Sequence, residues 1–321
     1  MRALVVTNMW PSPAKPALGS FVRDQVSALR ALQAPDVELD VFAFAPGGYA
    51  GAARALRRHP PVDIVHAHFG LTAWPALAAR ARRRLVTLHG TDVRHPRSRW
   101  ITAAAFPWQD LVATGSPGLA AALPPFPRAR RLAVLPCGVA TDRFHPIPRA
   151  AARAALGLDP HERLLLFPAD PARPGKRHDR ARAVADATGA RLVTAGAIEP
   201  ERMPLWVNSA DAVLVTSEHE GFGLAVLEAL ACDVPVLATP TGIHAAALAE
   251  VEGALCAPFD VERWASVLRA LLTDRDPRVA GRAQAERFGA RAMAERVLAT
   301  WRELLDEPLD SRRVGFRRRL D

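Results

Sequence analysis

Short apolar runs rich in β-branched residues alternate along the chain with Ala- and Arg-rich stretches of helical spacing. The runs that read as strands are ALVVT (3–7), ELDVFAF (38–44), DIVHAH (63–68), RLVTLH (84–89), LVATG (111–115) and LAVLPCG (132–138). After a proline-rich gap come RLLLFPA (163–169), ARLVTAG (190–196), DAVLVTS (211–217), VPVLAT (234–239) and GALCA (253–257). Helices of about ten to fifteen residues fit between most of them. This order predicts parallel sheets with right-handed crossovers. Runs such as LLLF and AVLV, apolar on both faces, suit strands covered by helices on both sides.

The pattern pauses at RFHPIPRAAARAALGL (143–158), where two prolines and a restart of helical periodicity mark a linker. The expectation is an α/β protein of two doubly wound domains, residues 1–146 and 151–289. A last helix near Ala290 to Leu305 is expected to pack back on the first domain. In such sheets ligands bind outside the carboxyl ends of the strands, so two facing domains share a cleft.

One stretch departs from the simple pattern. SEHEGFGLAVLEALACDVPVLAT (217–239) places Glu228 inside an apolar helix, eight positions after Glu220. A buried, unpaired carboxylate costs several kcal/mol, by order of magnitude, so a partner, a ligand or exposure at a cleft must compensate. Glu220 falls in the loop that follows strand DAVLVTS, on the ligand side. Gly221 and Gly223 let backbone N–H groups approach a ligand closely, and the helix start adds further donors. The alternative is a turn followed by a core helix in which Glu228 pairs with an arginine.

Composition narrows the classes. The 321 residues, half of them hydrophobic, suffice for about two domains. No run is long and apolar enough to span a membrane. The N-terminal ALVV is too short for a signal peptide and reads as a first strand. Cys137, Cys232 and Cys256 are isolated, without zinc spacing, which points to a reducing cytoplasm and no structural metal. The net charge of +9 implies attraction to anions or simply a solvated basic exterior. There is no aromatic-interleaved basic patch or helix-turn-helix signature, so nucleic acid is not an expected partner. The basic runs ARRR (81–84), RARR (128–131) and FRRRL (316–320) suggest peripheral contact with an anionic membrane surface, against the plain abundance of arginine.

The 217–239 stretch resembles the E-x7-E donor-site motif of family 4 retaining glycosyltransferases, which have the GT-B fold of two Rossmann-like domains. NMWPSPAKPALGSFVRDQV, DIVHAHFG, LVTLHGTD, VLPCGVATDRFHP and FPADPARPGKRHDRA also resemble family segments, in family order. Only the region around Phe44 to Arg58 looks shortened, and the tail after Asp306 has no counterpart. The resemblance implies that Glu220 contacts the transferred sugar and Glu228 the ribose hydroxyls of the nucleotide. Gly221, Phe222 and Gly223 would present main-chain groups to the sugar.

In DPARPGKRHD, Arg173 and Lys176 follow a strand and would hold the donor diphosphate and stabilise its departure. Thr241 and Gly242 open the next helix and could give backbone N–H groups to the same phosphates. Gly19, ahead of a helix with Ser20 as N-cap, would border the diphosphate. His89, at the end of strand RLVTLH, would face the cleft near the acceptor and the reacting carbon, with Asp92 close behind. His66 and His68 share a sheet face, and which of them reaches the cleft depends on where the strand ends. Asp233, Cys137, His244 and Ala245 depart from common family residues.

The reading is a metal-independent, retaining glycosyltransferase of hexosyltransferase type. It would use a nucleotide-diphosphate sugar and no cofactor, and act on a glycan, lipid or small-molecule acceptor. It would work in the cytoplasm or on the inner face of the membrane. The alternatives are a GT-B epimerase or hydrolase, or a binding protein on a degenerate scaffold.

Overall fold

The computed structural model describes residues 1–125 and 128–308. The first sheet holds β1 (Arg2–Thr7), β2 (Glu38–Ala43), β3 (Val62–His68), β4 (Ala81–Leu88), β5 (Leu111–Thr114) and β6 (Leu132–Val134), in the order β2-β1-β3-β4-β5-β6. The second holds β7 (Leu164–Phe167), β8 (Arg191–Thr194), β9 (Ala212–Val215), β10 (Val236–Ala238) and β11 (Leu255–Cys256), in the order β11-β10-β9-β7-β8. Every strand pair in both sheets is parallel. The strand order reverses between β1 and β3 in one sheet and between β7 and β9 in the other. Those switch points are where a doubly wound sheet opens a crevice for ligands.

Each apolar run read as a strand contains one, with trimmed ends. LAVLPCG is strand only to Val134. Pro136 has no N–H to give, and Val139 bridges instead to Gly289. Central strands β7 and β9 are buried along their whole length, as two-sided helix cover requires.

The stretch read as a linker is helical over Arg149–Leu156. Arg153 is buried there, paired with Asp211 at 3.1 Å and donating to the Ser209 carbonyl at 2.9 Å. That helix is thereby tied to the second sheet, and the crossing between the sheets is shorter than expected. Asp233, where glycine is common, stands at φ 56° and accepts from the backbone of Gly281 at 3.0 Å and Arg282 at 2.8 Å.

The Ala290–Asp306 helix packs on the first sheet. Ala294, Val297, Leu298, Trp301 and Leu304 join Ile64, Leu85 and Leu111 in one core. The fully buried Trp301 indole donates to His66 Nδ1 at 3.3 Å. One arginine from each of the first two basic runs serves this packing. Arg83 is buried, donating to the Leu304 carbonyl at 2.6 Å and to the Glu307 carbonyl, with Asp110 at 3.6 Å. Arg131, from the second run, pairs with Glu307. Arg83 is therefore withdrawn from the surface, a correction for that one residue of ARRR, whereas Arg82, Arg128 and Arg130 of the two runs are exposed. The third run, FRRRL, lies outside the described residues. Among the described residues no helix is long and apolar enough to cross a membrane.

Candidate active site

The loops leaving β7 and β9 meet at the second switch point. The Thr216 hydroxyl donates to the carbonyls of Lys176 at 3.0 Å and Arg177 at 2.8 Å, and Glu218 N–H donates to the Gly175 carbonyl at 3.0 Å. This fastening brings Lys176 onto Glu220, with Nζ to Oε1 at 2.6 Å. Burial pushes the Glu220 carboxyl up, but the adjacent Lys176 charge and hydrogen bond outweigh it and hold the group below the usual carboxylate range. Arg173, three residues earlier, is exposed, and its guanidinium makes no hydrogen bond or ion pair to the described residues. The reading thus placed both cations correctly after a strand, but Lys176 already has a carboxylate partner.

Glu220 is followed by a row of open donors. The N–H groups of Gly221, Phe222 and Gly223 have no acceptor among the described residues. The carbonyls are taken: Ser116 donates to that of Gly221 at 3.0 Å and Ile243 N–H to that of Phe222 at 2.9 Å. The Phe222 ring lies in the core, so this segment offers amides only. Gly223, at φ 115°, starts the Leu224–Ala231 helix. A side chain at Gly221 would clash with the His89 carbonyl, 2.0 Å from its Cβ. Gly242, at φ 58°, leaves no room for one against the Phe222 carbonyl. Its N–H is open, whereas the Thr241 N–H is spent on the Thr239 carbonyl at 2.8 Å. Of the two residues expected to bind phosphate through their amides, only Gly242 has one to give.

Glu228 lies one turn into that helix, partly buried, its side chain without a hydrogen bond or ion pair among the described residues. Burial pushes its carboxyl up to about 7, with Arg143 pulling it down and Asp24 pushing it up. Those two neighbours pair with each other at 2.8 Å, joining the segment between the sheets to the Ser20–Ala31 helix of the first. Arginine is therefore near Glu228, as the core-helix alternative supposed, but bonded elsewhere.

On the first-sheet side, Gly19 has φ 70°, and a Cβ there would meet the Met9 carbonyl at 2.2 Å, so only glycine lets the β1 loop fold so tightly. Ser20 makes no side-chain cap. His66 and His68 are both buried, their rings stacked at 4.3 Å. His66 accepts from Trp301 at Nδ1, so its Nε2–H donates to the Thr87 hydroxyl at 2.8 Å. His68 Nδ1 lies 3.1 Å from His89 Nε2, and Phe21 packs on the His89 ring at 4.6 Å. Burial pushes the His89 imidazole down to about 3, so it is neutral near pH 7. Asp92 accepts from the N–H groups of His89, Gly90 and Gly70 and fixes the strand end. The histidines thus form a column reaching from the C-terminal helix to His89, whose backbone carbonyl lies against Gly221.

The comparisons with known proteins agree with this architecture. A family model described as "Glycosyltransferase Family 4" matches residues 4–143, and one described as "Glycosyl transferases group 1" matches residues 174–292. The chain is 30% identical to a D-inositol 3-phosphate glycosyltransferase of Mycobacterium sp. (strain KMS), over 87% of this chain and 74% of that protein. It is 29% identical to the one from Mycolicibacterium smegmatis (strain ATCC 700084), over 87% and 75%. The chain belongs to glycosyltransferase family 4.

Two solved structures have the same fold as this family 4 glycosyltransferase. Sucrose-phosphate synthase from Thermosynechococcus elongatus superposes with a TM-score of 0.71 at 19% identity, covering 95% of this chain and 99% of that one. Anabaena HepE in complex with UDP and glucose superposes at 0.68 and 17% identity, covering 92% and 98%. The fold is GT-B. Within it, the sequence reading missed Asp24, Arg143 and Ser116. The first two carry no local signal, since their pairing spans 119 residues. It noted His244 only as a departure. His244 is buried, donating from Nδ1 to the Thr239 carbonyl at 2.8 Å, with Nε2 against Gly223 and unpartnered.

A shallow hollow of about 480 Å³ also lies beside the β9 loop, lined by Arg180, Ser217, Glu218, Thr241 and Phe259 among others. Its lining includes neither glutamate of the motif, nor Lys176 or His89.

Proposed function

We propose that this glycosyltransferase moves a hexosyl group from a nucleoside-diphosphate sugar to its acceptor, with retention and without a divalent ion. Residues 151–289 hold the donor and residues 1–146 the acceptor. The observation that carries this reading is the row of unpartnered amides at Gly221, Phe222 and Gly223, directly after the Lys176–Glu220 pair, with the free Arg173 guanidinium three residues before Lys176 among the described residues. Adjacent N–H groups at a helix start bind anionic or hydroxyl oxygens.

In this account Arg173 and Lys176 take the place of a metal on the diphosphate, and neutralise the charge that grows as it leaves. Glu220, kept ionised, accepts hydrogen bonds from sugar hydroxyls. Glu228 does the same for the ribose. The Gly19 turn brings backbone close to the diphosphate. His89, neutral, donates or accepts one hydrogen bond at the cleft without adding charge. The acceptor oxygen attacks from the face that the nucleotide leaves, and its proton passes to the departing phosphate. Holding both substrates in one cleft lowers the entropic part of the barrier.

The solved relative with UDP makes UDP-sugars the first donors to test, and the names of the curated relatives make a phosphorylated cyclitol the first acceptor. Glycan, lipid and other small-molecule acceptors follow. A thermal-shift screen of UDP-, GDP- and ADP-sugars in EDTA tests the donor class. One donor should raise the melting temperature. Product analysis with and without acceptor then separates transfer from hydrolysis or epimerisation. Loss of turnover in EDTA, restored by magnesium or manganese, would contradict the metal-free reading.

A further inference from the structure

Six large apolar side chains are exposed among the described residues, and four of them fall between residues 74 and 108: Trp74, Trp100, Ile101 and Trp108. They are joined. The Trp74 and Trp108 rings lie 5.7 Å apart, and the Trp74 indole N–H donates to the Ile101 carbonyl at 2.9 Å. Trp74 stands on the segment leaving β3, and the other three on the segment leaving β4. Single exposed apolar residues need no explanation, but three indoles and an isoleucine in one group do.

The exposed charge along this stretch of the chain has one sign. Arg94 and Arg97 are exposed, and the Arg99 guanidinium lies 5.0 Å over the Trp100 ring. From Ile64 to Gln109 the sole carboxylate is Asp92, which is buried and spent on backbone amides. Residues 64–109 therefore combine indoles and guanidinium groups with no exposed carboxylate of their own. Indoles suit a boundary that is apolar on one side and wet on the other, and arginines beside them suit phosphate.

We propose that this patch docks the protein on an anionic bilayer. Trp100 and Ile101 enter the headgroup boundary, and Arg94 and Arg97 meet the lipid phosphates. This contact is separate from the basic runs, whose Arg83 and Arg131 are committed to the C-terminal helix.

Co-sedimentation of the full chain with vesicles tests it, using phosphatidylcholine alone and phosphatidylcholine mixed with phosphatidylglycerol. The protein should sediment with the anionic vesicles only, with a blue shift of tryptophan emission, and be released by high salt. Trp100→Ser with Ile101→Ser should weaken that binding by about tenfold or more, with melting temperature and solution activity unchanged. Arg94→Gln with Arg97→Gln should weaken it on anionic vesicles as well. Equal behaviour on the two vesicle types would overturn the proposal. So would unchanged binding by the Trp100/Ile101 variant, which would place the contact elsewhere. A wild-type dimer that this variant turns into a monomer would assign the patch to a second copy instead.

Discussion

Lys176 donates to Glu220 at 2.6 Å, and the two come from loops after different strands, 44 residues apart. The pair is made possible by β7 and β9 lying side by side, since that adjacency sets the two loops against each other. Lys176→Ala should leave the Glu220 carboxylate without its counter-charge and raise its pKa. Both side chains retain some exposure, at 18% and 12%. The stability loss should therefore be about 1–2 kcal/mol, below that for breaking a fully buried pair. Turnover should fall by about 10²–10³, the scale for removing one preorganised charge at a developing anion. Urea unfolding and steady-state kinetics measure the two effects separately.

Glu228 gives a dependence on pH. Its carboxyl titrates near 7 in the folded protein, above the ordinary value of 4.5. The folded state therefore binds the proton more tightly than the unfolded state. Its contribution is present at acid pH and is lost as pH rises through about 7. Glu228→Gln should then stabilise the protein at pH 8, by about 1 kcal/mol or more, and make little difference at pH 5. Nucleotide binding should run the other way in the wild type, strengthening as pH rises through 7, because the ionised carboxylate is the better acceptor for ribose hydroxyls. Thermal melts at the two pH values check the sign.

The C-terminal helix is anchored by Trp301, buried and donating to His66. Trp301→Ala should cost about 3–5 kcal/mol. Trp301→Phe keeps most of the volume but drops the N–H, and should cost about 1–2 kcal/mol. Denaturant titration of the two variants resolves packing from hydrogen bonding. If Trp301→Ala melts like wild type, the helix does not form part of the first sheet's core.

Most of the fold was legible because parallel strands buried on both faces read as unbroken apolar runs, as β7 and β9 do. The motif glutamates were legible because a carboxylate in an apolar helix demands a reason. Arg83 was misread as surface charge, although the alternation in β4 puts Ala81, Arg83 and Leu85 on one face. That signal was present in the sequence. The Lys176–Glu220 and Asp24–Arg143 pairs were not, because one depends on strand order and the other on how the segment after β6 packs on the Ser20–Ala31 helix. The trimmed end of β6 follows from Pro136 and was open to reading.

The central claim is that a nucleoside diphosphate binds between Arg173, Lys176 and Glu228 without a metal ion. Isothermal titration of the wild type with UDP, GDP and ADP in EDTA tests it most directly, with Glu228→Gln and Arg173→Ala alongside. The account predicts saturable binding of at least one nucleotide by the wild type. It predicts affinity about tenfold or more weaker in each variant, since one charge-assisted hydrogen bond contributes about 1.5–3 kcal/mol. Binding by both variants with wild-type affinity, or binding by the wild type only when a divalent ion is added, would contradict it.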